Sequence, residues 1–143
     1  MVRWIIITGS SISQGSIEGG YKANGRPLFL ARAQIEGVMT PGKCGYHLPG
    51  AHIPYRSEER IVEEYNVLIT SKTPGYFDWQ SGSFGNVPSH AFRMDDGIYV
   101  VRAFYRGGLV PGKVDSCRSA YISYGGEEIR IQNYDVFCEI KLG

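Results

Sequence analysis

The sequence predicts an all-β protein built from two similar antiparallel β units. An internal repeat generates them, and they interlock into one domain with approximate twofold symmetry. Three observations predict this. The chain repeats itself over nearly its whole length. Nineteen glycines and an aromatic fraction of 13% point to many turns and many strands. Its apolar runs are short and bounded by turn formers, and only "SEERIVEEY" (57–65) has a helical composition.

The repeat is read first, because it governs every other assignment. "RAQIEGVMTPGK" (32–43) lies over "RAFYRGGLVPGK" (102–113), with Arg, Ala, Gly, Pro, Gly and Lys at identical spacings. Upstream, Trp4 to Ile17 has the spacing of Trp79 to Phe92. Downstream, "AHIPYRSEERIVEEYNVLI" (51–69) parallels "AYISYGGEEIRIQNYDVFC" (120–138). The first copy carries a short insertion near "GGYKANGR". The join, "TSKTPGYFD" (70–78), is rich in turn formers and makes the natural seam. It separates a first repeat, 1–70, from a second, 76–143, which together form one compact domain.

Each copy reads in order as strands. "PLFLARA" and "IYVVRAFY" are runs of strand length between glycine-containing turns. "EGVMTPGKC" (36–44) then has Gly37, four residues, Gly42 and Lys43, the outline of a phosphate-cradling P-loop; "GGLVPGKV" repeats it at Gly107, Gly112 and Lys113. A P-loop also needs a following helix and a Ser or Thr after the lysine. Here Cys44 and Val114 follow, and "CGYHLPG" is no helix. The proline before the last glycine removes an N–H that a phosphate nest would use. Pro-Gly suits the middle of a type II turn, so the expectation is a turn that presents a lysine. "AYISY" alternates as a half-buried strand does. "SEERIVEEY" is paired with "GGEEIRIQNY", whose double glycine and alternation make both a turn plus a strand. "EYNVLI" and "YDVFCEI" close the copies.

Composition narrows function. A formal charge of +1 argues against binding duplex nucleic acid, which takes a basic surface. The first residues lack the roughly 7–15 apolar residues of a secretory segment, and no run reaches the roughly 20 of a membrane span. A cytoplasmic location is expected, with any release by a non-classical route. Cys44, Cys117 and Cys138 read as reduced, buried thiols. His47, His52 and His90 have no zinc-ligand spacing, and "GSSISQG" lacks the G-x-S-x-G pattern. No metal, cofactor or catalytic residue is expected, and no enzyme activity.

The repeated "RA…G…PGK" block, the "Y-x-x-E-E" stretch and the closing "EYNVLI" resemble the DM-nine repeat family. The resemblance covers nearly the whole chain as two tandem copies. It implies an all-β fold of two similar halves, often dimeric, so a homodimer is the expected assembly. Members of this size resemble invertebrate mannose-binding lectins that act in innate pattern recognition, holding sugar by polar side chains without metal. Other members are intracellular proteins that respond to infection. By position, the family's sugar-contacting cation is the lysine of "PGK", here Lys43 and, by the repeat, Lys113. Sugar-binding members carry an acid directly after the first-repeat "GY" pair. This sequence has Gly20-Tyr21-Lys22 there, and an ammonium accepts no hydrogen bond from a hydroxyl. In the second repeat Asp95 and Asp96 lie near the equivalent turn, and Asp96 is the candidate acceptor.

From the residues themselves, a sugar site needs donors, acceptors and an apolar platform. Lys43 and Lys113 are candidate donors; Glu58, Glu59, Glu127 and Glu128 are candidate acceptors, with Glu59 and Glu128 favoured. The structural alternative pairs Glu59 and Glu128 with Arg32 and Arg102, mid-strand arginines that recur in both copies. It leaves the lysines solvated on their turns. Trp4, Trp79, Tyr55 and Tyr124 serve either as stacking platforms or as core and rim packing. The candidate sugar site is therefore Lys43, Lys113, Lys22, Glu59, Glu128 and Asp96. The leading expectation is a metal-independent lectin for mannose-type glycans on microbial surfaces. The alternative is a non-lectin intracellular interaction or stress-response protein on the same fold.

Overall fold

The computed structural model describes residues 2–70, 77–95 and 97–140. The seam at 71–76 and Asp96 lie outside the described residues. Every regular element among those described is a β-strand. The first repeat contributes β1 (Val2–Thr8), β2 (Glu18–Tyr21), β3 (Pro27–Ile35), β4 (Val38–Cys44), β5 (Ala51–Tyr55), β6 (Glu58–Val62) and β7 (Glu64–Thr70). The second contributes β8 (Phe77–Ser83), β9 (Arg93–Asp95), β10 (Ile98–Tyr105), β11 (Gly108–Val114), β12 (Ala120–Tyr124), β13 (Glu127–Ile131) and β14 (Asn133–Glu139).

The strand order is β1-β7-β3-β4-β5-β6-β13-β12-β11-β10-β14-β8. Exchanging each strand for its counterpart in the other repeat reverses this order onto itself, which is the topological signature of a twofold. The axis passes between β6 and β13, where Glu58 faces Glu127. Two backbone hydrogen bonds flank it: Glu59 N–H donates to the Gly126 carbonyl, and Glu128 N–H donates to the Ser57 carbonyl. One short strand also crosses between the repeats. β2 pairs with its own β3 and with β11 of the other repeat.

The core follows the repeat. One apolar cluster lies in the first copy, around Ala31, Ile53, Tyr65 and Val67. Its twin lies in the second, around Val101, Ile122, Tyr134 and Val136. A third cluster spans both, packing Ile17, Leu30 and Leu68 against Val100 and Phe137. Neither repeat covers this shared layer alone, so burial of apolar surface there welds them into one unit. Trp4 and Trp79 pack at the margin of that layer, in line with the packing alternative.

Two local expectations are corrected. The "PGK" triplets are not turns: Pro41, Gly42 and Lys43 lie inside β4, and Pro111, Gly112 and Lys113 inside β11. The glycine is required by close packing. A Cβ on Gly42 would stand 2.3 Å from the His52 carbonyl oxygen, and one on Gly112 2.1 Å from that of Tyr121. The proline is tolerated because the ladders to β5 and β12 begin only after it, at the Lys43–His52 and Gly112–Ile122 pairs. The turn is instead two residues long and lies upstream, with both residues left-handed: Glu36-Gly37 in one copy and Arg106-Gly107 in the other. Second, only Cys44 and Cys138 are buried thiols; Cys117 is exposed.

Candidate functional site

Because "PGK" continues a strand, its lysine points into the protein. Lys43 is only 8% exposed. Its Nζ donates to the Ser123 carbonyl of the second repeat at 2.7 Å and lies 3.3 Å from Glu59 Oε2. Glu59 Oε1 accepts from the Gly126 N–H at 3.1 Å and lies 3.3 Å from His52 Nδ1. Burial alone would raise the pKa of Glu59. The hydrogen bond to His52, the charge of Lys43 and the bonds to Ser123 and Gly126 outweigh it, holding the carboxyl at about 2. Burial lowers the pKa of the Lys43 ammonium, Glu59 opposes this, and Lys22 adds to the lowering.

The twofold mate is similar in outline. Lys113 Nζ lies 3.1 Å from Glu128 Oε2, and the same carboxylate accepts the Ser57 N–H at 3.1 Å. Each lysine also faces a tyrosine of the other repeat: Lys43 lies 5.8 Å from the Tyr124 ring centroid, and Lys113 lies 5.3 Å from that of Tyr55.

The structural alternative, in which these glutamates pair with Arg32 and Arg102, is not what the fold builds. Arg32 donates through Nε to Asn66 at 3.1 Å and stacks 4.5 Å over the Trp4 ring. Arg102 donates to Asp135 at 3.2 Å and stacks 4.2 Å over Trp79. The reason is register: Arg32 lies directly across from Asn66 on β7 and Arg102 across from Asp135 on β14, the flanks of β3 and β10 that face away from β6 and β13, which carry the glutamates. The alternative of solvated turn lysines falls because both lysines are buried inside strands.

A cleft of about 470 Å³ opens where the two repeats meet on the Lys43 side. Its polar wall is Lys22, Lys43, His52, Glu59 and Arg106; Leu28, Leu48, Val110, Tyr105 and Tyr124 supply apolar surface. Two hairpin tips build the mouth. The inserted "YKANGR" segment closes a turn in which Lys22 N–H donates to the Arg26 carbonyl and Gly25 N–H to that of Lys22. This tip rests on the β10–β11 turn, since a Cβ on Gly108 would stand 2.9 Å from the Tyr21 carbonyl oxygen. Lys22 and Arg106 thereby reach one mouth from different repeats. Tyr105 and Tyr124 meet edge to face, with centroids 5.1 Å apart, and form an aromatic corner.

The twofold mate of this region is filled differently. Gly125, on the cleft, corresponds to Arg56; Arg106 corresponds to Glu36. In the mate, Glu36 bridges Arg56 at 3.1 Å and Arg60 at 3.3 Å. The repeat is thus symmetric in backbone and asymmetric in charge.

Of the residues expected from sequence, Lys22, Lys43 and Glu59 meet in the cleft. Lys113 and Glu128 form the buried mate pair and do not line it. Asp96 lies outside the described residues. Sequence reasoning missed His52, Arg106 and Tyr105. His52 has no zinc-ligand spacing and no counterpart histidine in the second copy, where Tyr121 stands, so no local pattern marks it. Arg106 had a readable signal, because the repeat alignment sets it against Glu36, a reversal of charge.

A family model of the DM9 repeat, the DM-nine repeat of the sequence reading, matches residues 1–62 and 93–142. No curated protein matches the chain. Among solved structures, the chain is similar to the crystal structure of the nematode sperm cell motility protein MFP2B, with a TM-score of 0.74 and 14% identity. The match covers 99% of this chain and 44% of that one, so the chain spans less than half of that protein's length. At that identity the likeness is one of fold.

Proposed function

The chain belongs to the DM9 repeat family, and from that membership together with the inter-repeat cleft we propose that it is a metal-independent carbohydrate-binding protein. Its ligands are mannose-type glycans of microbial surfaces, recognised as part of innate defence. The observation that carries the reading is the convergence of Lys22, Lys43 and Glu59 in one cleft beside the Tyr105–Tyr124 corner. Such a site offers a pyranose the two things it needs: an apolar face to lie against and polar groups at its edge. Lys43 donates to the Ser123 carbonyl and lies in an ion pair with Glu59; with three N–H groups it keeps donor capacity for a sugar oxygen. The buried Nε2 of His52 has no protein partner among the described residues and is available as well.

The test is a glycan array carrying neutral and acidic hexose chains, run with mannose competition and with and without EDTA. Glycan binding that competes with mannose and survives EDTA is expected. Failure to bind any glycan overturns the reading and favours an intracellular interaction protein on this fold.

A further inference from the structure

The cleft carries more positive charge than its own carboxylate can balance. Lys22, Lys43 and Arg106 line it, against Glu59. Glu59 already faces protein cations and donors: Oε1 accepts from the Gly126 N–H and lies 3.3 Å from His52 Nδ1, and Oε2 is ion-paired with Lys43 at 3.3 Å without a hydrogen bond. Among the described residues, neither Lys22 nor Arg106 has a salt-bridge partner. Arg106 instead lies over tyrosine rings, 5.4 Å from the Tyr105 centroid and 5.8 Å from that of Tyr124. That contact places the guanidinium beside the aromatic corner, and a cation–π contact does not use its N–H donors.

The twofold mate supplies an internal control. There the residue matching Arg106 is Glu36, and two arginines neutralise it. There also Arg56, left-handed at φ 48°, stands where the cleft has Gly125 at φ 59°. A side chain costs strain in that conformation and none is needed for the turn, so the open cleft follows from glycine at 125. One corner of the same backbone is closed and self-neutralised; the other is open and cationic.

We propose, on the basis of the carbohydrate-binding reading above, that the cleft takes an anionic sugar, a hexose carrying a carboxylate or a sulfate. The acid group seats between Lys22 and Arg106, and the ring lies on the Tyr105–Tyr124 corner. A neutral hexose would leave both cations of the mouth without a charged partner, whereas an acid group accepts from both. The guanidinium fork matches a carboxylate or sulfate edge with two parallel hydrogen bonds. Lys22 reads on this view as a change of ligand class, an ammonium that meets an acid on the sugar.

The experiment is calorimetry with three matched probes: an oligomannuronate, the oligomannose obtained by reducing its carboxyl groups, and a 6-sulfated oligomannose. Wild type is expected to bind one or both acidic chains at least tenfold more tightly than the neutral one, with the advantage shrinking as salt rises. The two acidic arms distinguish carboxylate from sulfate. Lys22→Gln and Arg106→Gln should each narrow the acidic-over-neutral ratio by about tenfold, the worth of one charged hydrogen bond. Melting temperatures serve as the control for folding. Equal binding of neutral and acidic chains overturns this inference and leaves the carbohydrate reading standing. Binding of none of the three overturns both.

Discussion

Lys43 of the first repeat donates to the backbone carbonyl of Ser123 in the second at 2.7 Å, and the same ammonium is held 3.3 Å from Glu59. One side chain thus joins three things: the interface between repeats, a buried ion pair and the floor of the cleft. Its removal has structural as well as binding consequences.

Lys43→Ala should lower stability by about 3–5 kcal/mol, because it strands the buried Glu59 carboxylate. Replacing both members, Lys43→Met with Glu59→Met, should recover most of that loss, since no unpaired charge remains. Urea denaturation of the two variants and wild type checks this. A single variant as stable as wild type would show that water reaches Glu59 freely.

Acid should weaken the fold through the same pair. The folded carboxyl of Glu59 titrates at about 2, below its ordinary 4.5. Its stabilisation is therefore fully present above pH 4.5 and is lost as pH falls toward 2, with a total on the order of 3 kcal/mol. Glu59→Gln should lie below wild type at pH 7 and show a flatter stability profile across that window. Chemical denaturation at stepped pH measures it.

The two arginines give a prediction that the repeat itself supplies. Arg102 donates to Asp135, whereas Arg32 donates to Asn66 at the matching place. Asp135→Asn should therefore cost less than about 1 kcal/mol, because an amide oxygen already serves this geometry in the other copy. Arg102→Ala should cost more, removing both that bond and the stacking on Trp79 at 4.2 Å. Thermal unfolding followed by tryptophan fluorescence reads both.

Gly20→Ala should break the crossing of β2 to β11. A Cβ there would stand 1.9 Å from the Leu109 carbonyl oxygen and 2.8 Å from its carbon, both backbone atoms of the other repeat. The backbones must separate, at a cost of about 3 kcal/mol or more. Proteolysis of the β2–β3 hairpin is the sensitive measurement. Gly25→Ala, on the same hairpin and with no atom near the added carbon but a φ of +86°, should cost about 1–2 kcal/mol through backbone conformation alone.

The sequence by itself determined the all-β class, the two copies and most strand positions, and it offered Lys43 and Glu59 among its candidate site residues. These are legible because a repeat preserves spacing, and alternation within a strand is a local property. Three of the residues named from sequence meet in one cleft. What only the tertiary structure decided is where the equivalent residues point and what they face. Pro-Gly, a turn signal in isolation, lies inside β4 and β11, since close packing against His52 and Tyr121 selects the glycine. Lys43 meets Glu59 rather than solvent because it is buried on β4, two strands from β6, whereas Arg32 lies directly across from Asn66 on β7 and stacks on Trp4. The cleft itself could not be read from sequence, because its walls come from hairpins more than eighty residues apart, Lys22 and Arg106. Their approach depends on β2 crossing to β11, a long-range pairing that no local pattern encodes.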